Sequence, residues 1–192
     1  MTNLEALESL IWIGYVFLLI GIMATSFFLV RYSKFEHKII RNSFVFTGAF
    51  FGIVSFFLVF LSQPRIVNNI FNYLLGIPIM IFGIIGRVYA AVYLRTKGTT
   101  TTLDPVTSII KSGPYGWVRH PQYVTGILSL LGWFMIWGAI NCMLIFPLIL
   151  ILVVFQAVIE EKYILEKEFG IEYSEYRKQV GMIFPKRNRF NF

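Results

Sequence analysis

Two polar constellations interrupt a chain made mostly of apolar runs: GPYGWVRHPQY at 113–123, and the adjacent carboxylates Glu160 and Glu161. In the first, Arg119 and His120 stand immediately before Pro121. Proline suits the first position of a helix, where its missing N–H costs little. A helix starting at Pro121 puts Arg119 and His120 at its positive end, beside backbone donors able to receive an anionic group. The acidic pair ends an apolar run, and carboxylates are electrostatically unfavourable at a helix C-terminus. A cationic ligand or a nearby arginine accounts for them there, and so does a plain interfacial charge pair. Tyr115, Trp117 and Tyr123 suit stacking on a flat ring and equally suit an interfacial aromatic belt.

The segments between these residues decide whether they meet. Five apolar runs, at 10–30, 43–61, 71–94, 121–140 and 142–159, are continuous rather than alternating. Each lies within the roughly 17–25 residues a membrane-spanning helix needs, whereas barrel strands would run to about ten residues of alternating polarity. The fold class expected is therefore an all-α integral membrane protein. It has five transmembrane helices, the last two forming a helical hairpin that turns at Asn141, and a tail helix in FGIEYSEYRKQVG at 169–181. The hairpin carries the helix that starts after His120 away from the boundary, and its partner brings Glu160 and Glu161 back to it. Gly14 with Gly21, or Gly48 with Gly52, would permit close helix packing. Residues 1–94 form the first three helices. Residues 95–192 hold the polar loop, the hairpin and the tail of one membrane-embedded unit.

Composition supports this reading. The 192 residues are 57% hydrophobic and 14% charged, with a mean hydropathy of +0.70, while a soluble domain carries about 25% charged residues. The net charge is +7, but the cations lie in short segments between apolar runs, which suits anionic headgroups rather than nucleic acid. Segment 31–42 sets Arg31, Lys34, Lys38 and Arg41 against Glu36; segment 95–120 sets Arg95, Lys97, Lys111 and Arg119 against Asp104. Excess positive charge faces the cytoplasm, so the N-terminus is expected outside and the C-terminus in the cytoplasm. The first run, without a basic leader segment, reads as a retained helix. The single cysteine, Cys142, excludes an intrachain disulfide, and no Cys/His cluster suggests a metal. His37 reads as a solvated loop residue. Arg87, within the third run, either snorkels to headgroups or lines a polar cavity.

With GPYGWVRHPQY at 113–123, the pair at 160–161 and FGIEYSEYRKQVGMIFPK at 169–186, in that order around a helical hairpin, the chain resembles the isoprenylcysteine carboxyl methyltransferase and phospholipid methyltransferase superfamily over residues 95–186. The resemblance implies an S-adenosylmethionine-dependent methyltransferase in the membrane, with a lipidic acceptor arriving from the bilayer. It assigns His120, Pro121 and Tyr123, with Tyr115 nearby, and the pair Glu160 and Glu161 to the cofactor. Arg119 becomes the candidate catalytic residue, facing cofactor and acceptor. The chain has GPYG where the phospholipid branch is described by GxG, and GTTTT at 98–102 without the tryptophan often found there. Carboxyl O-methylation of a prenylcysteine-like substrate is favoured; phospholipid amine N-methylation and a non-enzymatic membrane assembly or sensor protein stand as alternatives.

Overall fold

The computed structural model describes residues 3–32, 37–66, 70–97 and 108–186, with side chains left out at 3–6, 25–32, 37–45 and 47. The side chains of the basic segment 31–42, His37 among them, and the GTTTT stretch therefore lie outside the described residues. Every extended element is helical: α1 (Asn3–Tyr32), α2 (His37–Phe57) closing in a 3-10 turn (Leu58–Phe60), α3 (Ile70–Thr96), the single turn α4 (Pro114–Trp117), α5 (Pro121–Ile136), α6 (Ile140–Glu160), a π-helical turn (Glu161–Leu165), α7 (Glu166–Phe169) and α8 (Ile171–Gln179). Among the described residues the only β contacts are two isolated bridges, Arg65 with Ala139 and Val118 with Gly181.

Among the described residues, three helices are long and apolar enough to cross a membrane, at Leu7–Ala24, Ile70–Thr96 and Ile140–Phe169. Two of the five expected spans are shorter, at Gly48–Phe60 and Pro121–Ile136. At 1.5 Å per residue, α5 is about 24 Å long against a hydrocarbon core of about 30 Å. It stops early because the hairpin turns at Gly138, which has a φ of 55°, and Asn141 already belongs to α6. A Cβ at Gly138 would meet the Ile66 carbonyl oxygen at 2.4 Å. The Ile66 N–H donates to the Gly138 carbonyl at 3.0 Å and the Ile140 N–H to the Pro64 carbonyl at 3.1 Å. These bonds fasten the hairpin turn to the α2–α3 connection.

Large apolar side chains on α3, among them Phe71, Leu74, Phe82, Ile85 and Val88, face outward, as expected where the solvent is hydrocarbon. The buried core joins α1, α2, α5 and α6 through Leu19, Phe51, Phe134, Ile149 and Leu152. Its polar exception is satisfied internally: Tyr15 bonds Ser55 Oγ at 2.7 Å, and Ser55 donates to the Phe51 carbonyl at 2.7 Å. The close helix contact is elsewhere than the glycine spacing suggested. Cβ atoms added at Gly14, Gly21, Gly48 or Gly52 would meet nothing within 4 Å. On the α3–α5 face, a Cβ at Gly83 would stand 2.3 Å from the Ser129 nitrogen, and one at Gly132 would stand 2.4 Å from the Met80 nitrogen. Backbones touch there because nothing else fits, and dispersion rather than hydrophobic exclusion holds helices together in lipid.

Forcing a side chain into that contact is overpacking, at a cost of about 1–3 kcal/mol. Gly83→Val and Gly132→Val should each lower the detergent-solubilised melting temperature by several degrees, while Gly14→Ala leaves it unchanged or raised. Thermal unfolding monitored by tryptophan fluorescence checks the contrast; equal melting for all three would refute the contact.

Candidate active site

The helix beginning at Pro121 is where the sequence places it, with His120 as its N-cap residue. The backbone donors of the two residues before it, however, are engaged. The Arg119 N–H donates to the Gly181 carbonyl at 2.8 Å and the His120 N–H to the Met182 carbonyl at 3.2 Å. The tail thus lies alongside the RHP segment. Gly181 permits this turn, since a Cβ there would fall 1.8 Å from the Phe184 carbonyl oxygen. Tyr176 donates its hydroxyl to the Tyr115 carbonyl at 2.6 Å, a second fastening of tail to loop.

At the other end of the hairpin, the chain passes through the π turn at Glu161. Consecutive residues of a helix point about 100° apart, and a π turn widens the local register. The two glutamates consequently have separate surroundings. Glu161 is turned into the protein with its side chain 2% exposed. Arg119 grips it in a fork: Nε donates to Oε1 at 2.7 Å and Nη2 to Oε2 at 2.9 Å. His120 Nε2 lies 2.9 Å from the same Oε1, and Arg177 Nε stands 3.8 Å from Oε2. Glu160 instead lines the main cavity, its side chain 30% exposed. Its Oε2 accepts the Tyr123 hydroxyl at 2.7 Å and lies 3.7 Å from His120 Nδ1. The His120 and Tyr123 rings stack with centroids 5.2 Å apart.

Arg119 occupies a different place from the one expected of a group facing an acceptor. Its side chain is 6% exposed. Besides gripping Glu161, its Nη1 donates to the carbonyls of Arg177 and Val180. It touches the cavity wall, but its guanidinium is committed to tying Glu161 to the tail. Of the two described cations in the cavity wall, Arg87 is the unengaged one. It lines the cavity with its guanidinium over Gly126, where an added Cβ would meet Nη1 at 2.8 Å. No carboxylate among the described residues pairs with it. Of the other residues weighed in the sequence, Arg95 is outside the cavity wall and Trp117 is exposed.

The cavity holds about 630 Å³, within the range of roughly 300–1,000 Å³ typical of ligand sites. Its polar end is formed by Tyr115, Arg119, His120, Tyr123 and Glu160 under a roof of Phe169, Tyr173 and Tyr176. It continues between α2, α3, α5 and α6 as an apolar shaft past Ile127, Leu130 and Val153 to Phe56 and Trp133, which stack at 4.5 Å. From Pro121 to Trp133 the shaft follows α5 for about 18 Å. Gln122 donates to the Tyr115 hydroxyl at 2.9 Å. Burial, aided by the charge of Glu160, pushes the Tyr115 phenol above its ordinary pKa. Burial and the charge of Glu161 do the same to Tyr173. Both phenols therefore serve as neutral wall groups. The arrangement can hold a ligand with a cationic end against Glu160, a flat portion against the aromatic roof, and a second, hydrophobic ligand in the shaft.

Sequence reading found the polar end and missed three things. Tyr173, Tyr176 and Phe169 belong to the wall, and none of the three was singled out within the tail helix. The π turn separating the two glutamates has no sequence signal that identifies it. Gln156 lines the cavity; the signal was present, a lone amide in an apolar helix one turn before Glu160.

Comparison with known proteins gives one family. A model of the family described as phospholipid methyltransferase matches residues 71–172. The protein-S-isoprenylcysteine O-methyltransferase of Saccharomyces cerevisiae is 37% identical over 87 residues, covering 40% of this chain and 32% of the relative. Its namesake in Schizosaccharomyces pombe is 36% identical over 77 residues, 40% of this chain and 33% of the relative. The nickel-cobalt-cadmium resistance protein NccN of Alcaligenes xylosoxydans xylosoxydans is 24% identical over 106 residues, 55% of this chain and 46% of the relative. The chain therefore spans less than half the length of each of these curated relatives. No solved structure matches.

The geometry distinguishes the two glutamates. Removing one partner of a buried ion pair costs about 3–5 kcal/mol, so Glu161→Ala should release the tail from Arg119. Limited trypsin digestion should then cut at Arg177 and Lys178 much faster than in the parent protein, and thermal stability should fall. Glu160→Ala should leave both nearly unchanged. Equal protection of the tail in the two variants would contradict the fork as its anchor.

Proposed function

The chain belongs to the phospholipid methyltransferase family, and from that membership we propose that it transfers a methyl group from S-adenosylmethionine to a lipidic acceptor. The observation that carries this reading is the continuity of the cavity, which joins an acidic, aromatic chamber at Glu160 to an apolar shaft with Arg87 between them. The residues fit the cofactor's chemistry. Glu160 is the cavity-facing carboxylate for its cationic portion, fixed in direction by Tyr123. Tyr115, Phe169, Tyr173 and Tyr176 offer apolar and π surface to its flat portion. Glu161 and Arg119 are assigned the role of building the chamber, and His120 spans the two glutamates.

When bound, S-adenosylmethionine supplies an electrophilic methyl on a sulfonium; the acceptor atom bonds to it in line as the carbon–sulfur bond breaks and the thioether leaves. The protein's part is alignment and exclusion of water. The shaft takes the hydrophobic tail, and Arg87 draws an anionic head toward the chamber through the paired N–H groups of its guanidinium. A carboxylate needs no proton removed before it reacts, which agrees with the lack of an uncommitted histidine in the wall among the described residues. We therefore favour carboxyl O-methylation of a prenylcysteine-like acceptor, supported by the names of the two yeast relatives. Phospholipid amine N-methylation is the second reading, favoured by the family's description and by the affinity of a basic residue for headgroup phosphate. In the membrane we infer five crossings, α2 and α5 completing the set, with the chamber and C-terminus on the cytoplasmic side.

Three measurements test this. Glu160→Ala should weaken S-adenosylmethionine binding, read by calorimetry, by about tenfold or more, the scale of a lost charge-assisted hydrogen bond. Arg87→Ala should raise the acceptor KM by a similar factor with cofactor affinity intact, and Arg87→Lys should recover only part. Methyl-labelled product from a lipid extract supplemented with prenylcysteine analogues should release labelled methanol in mild alkali. Alkali-stable label confined to amino-lipids would reject the carboxylate reading in favour of the amine.

A further inference from the structure

Gln156 has no part in the ion-pair frame. It stands on α6 one turn before Glu160, is only 6% exposed and lines the cavity. Among the described residues its amide nitrogen Nε2 has no hydrogen-bond partner. A buried donor left in this condition costs roughly 1–3 kcal/mol, which a cavity ligand able to accept from it would relieve. Isolated polar groups at such depth are retained for function more readily than for stability.

The level at which Gln156 stands limits what can satisfy it. Four residues of helix put it about 6 Å deeper than Glu160. The next wall residues toward the interior on the same helix are Val153 and Ile149, and Ile127 and Leu130 belong to the facing wall. Gln156 thus marks the junction of chamber and shaft. A lipid threaded through the shaft to react beside Glu160 carries some chemical group past this amide. An anion there would already have Arg87. A neutral donor at an apolar boundary is best matched by a neutral oxygen, since a charge without full pairing is far costlier to desolvate. The two N–H groups and one carbonyl of a glutamine side chain complement a secondary amide.

We infer that Gln156 is a specificity-determining residue that hydrogen-bonds an amide carbonyl carried by the lipid acceptor next to its reacting group. This rests on the methyltransferase reading above and narrows it to the amide borne by the same carbon as the carboxylate of a lipidated cysteine, a group that a simple prenyl or fatty acid lacks. An acceptor with bare hydrocarbon at this level leaves Nε2 unpartnered and is disfavoured on that account.

The test compares two acids that differ in that amide, N-acetyl-S-farnesylcysteine and S-farnesylthiopropionic acid, with phosphatidylethanolamine vesicles as a third acceptor. Each is offered with methyl-labelled S-adenosylmethionine to the full chain in detergent or vesicles. The parent protein should prefer the amide-bearing acid by about tenfold in kcat/KM, the scale of one neutral hydrogen bond and its unpaired penalty. Gln156→Met, close in volume and unable to donate, should abolish that preference through KM while S-adenosylmethionine affinity stays within about twofold. Gln156→Asn should keep part of the preference. A parent protein indifferent to the amide, a Gln156→Met variant that keeps the preference, or a variant that loses cofactor affinity in parallel would each overturn the inference. Label reaching only phosphatidylethanolamine would also overturn it, leaving methyl transfer standing. Cofactor binding without transfer to any of the three would overturn it too, and absence of both binding and transfer would remove the methyltransferase reading as well.

Discussion

The buried fork between Arg119 and Glu161 is the interaction on which the candidate site depends. Desolvating two charges is expensive, and their attraction compensates only when geometry is good and the remaining donors and lone pairs are satisfied. Here the guanidinium meets both carboxylate oxygens, His120 takes a further position on the glutamate, and the tail carbonyls of Arg177 and Val180 receive the remaining nitrogen. Meeting those requirements brings three separate stretches together: the loop before α5, the end of α6 and the chain after α8. The parallel contact of Val118 with Gly181 follows from the same alignment. Because the pair is complete within the protein, it can shape a chamber without occupying it.

The π turn makes that separation possible. Glu160 and Glu161 are neighbours in sequence, yet one belongs to the frame and the other to the cavity. Were both engaged by Arg119 and His120, no carboxylate would remain for a cationic ligand. Were both to face the cavity, the fork would be lost and the tail with it. The change from α to π hydrogen bonding begins at Glu161, where the two roles part. Tyr123 then fixes Glu160 from α5, while the loop before α5 supplies Arg119 to Glu161.

The lipid-facing part of the molecule answers a different constraint. In hydrocarbon, apolar side chains gain little by turning inward, so α3 faces outward with its large residues and joins the bundle through bare backbone at Gly83 and Gly132. That contact leaves the side chains of α2, α5 and α6 to enclose a shaft instead of filling it. The N-terminal helices thereby supply part of the cavity wall, Gly52 and Phe56 from α2 and Met80 and Arg87 from α3, although the chemical motifs lie in the C-terminal half.

The amino-acid sequence by itself determined the helical class, the start of α5 at Pro121 and the meeting of the RHP segment with the acidic pair. Each follows from local rules: continuous apolar runs exclude alternation, proline sets a helix start, and a hairpin returns the chain to its starting level. It pointed to Tyr115, His120, Pro121, Tyr123, Glu160 and Glu161 alike for the cofactor and to Arg119 as the group facing cofactor and acceptor. Only the tertiary structure decided which glutamate the cavity receives, because that depends on one turn of backbone register. It also decided that Arg119 is committed to the frame while Arg87 is unengaged, because pairing is settled by which groups the packed helices bring within hydrogen-bond distance. The turn at Gly138 and the contacts at Gly83 and Gly132 were beyond sequence for the same reason. A glycine shows only that close approach is allowed, and the neighbouring chain determines where it occurs.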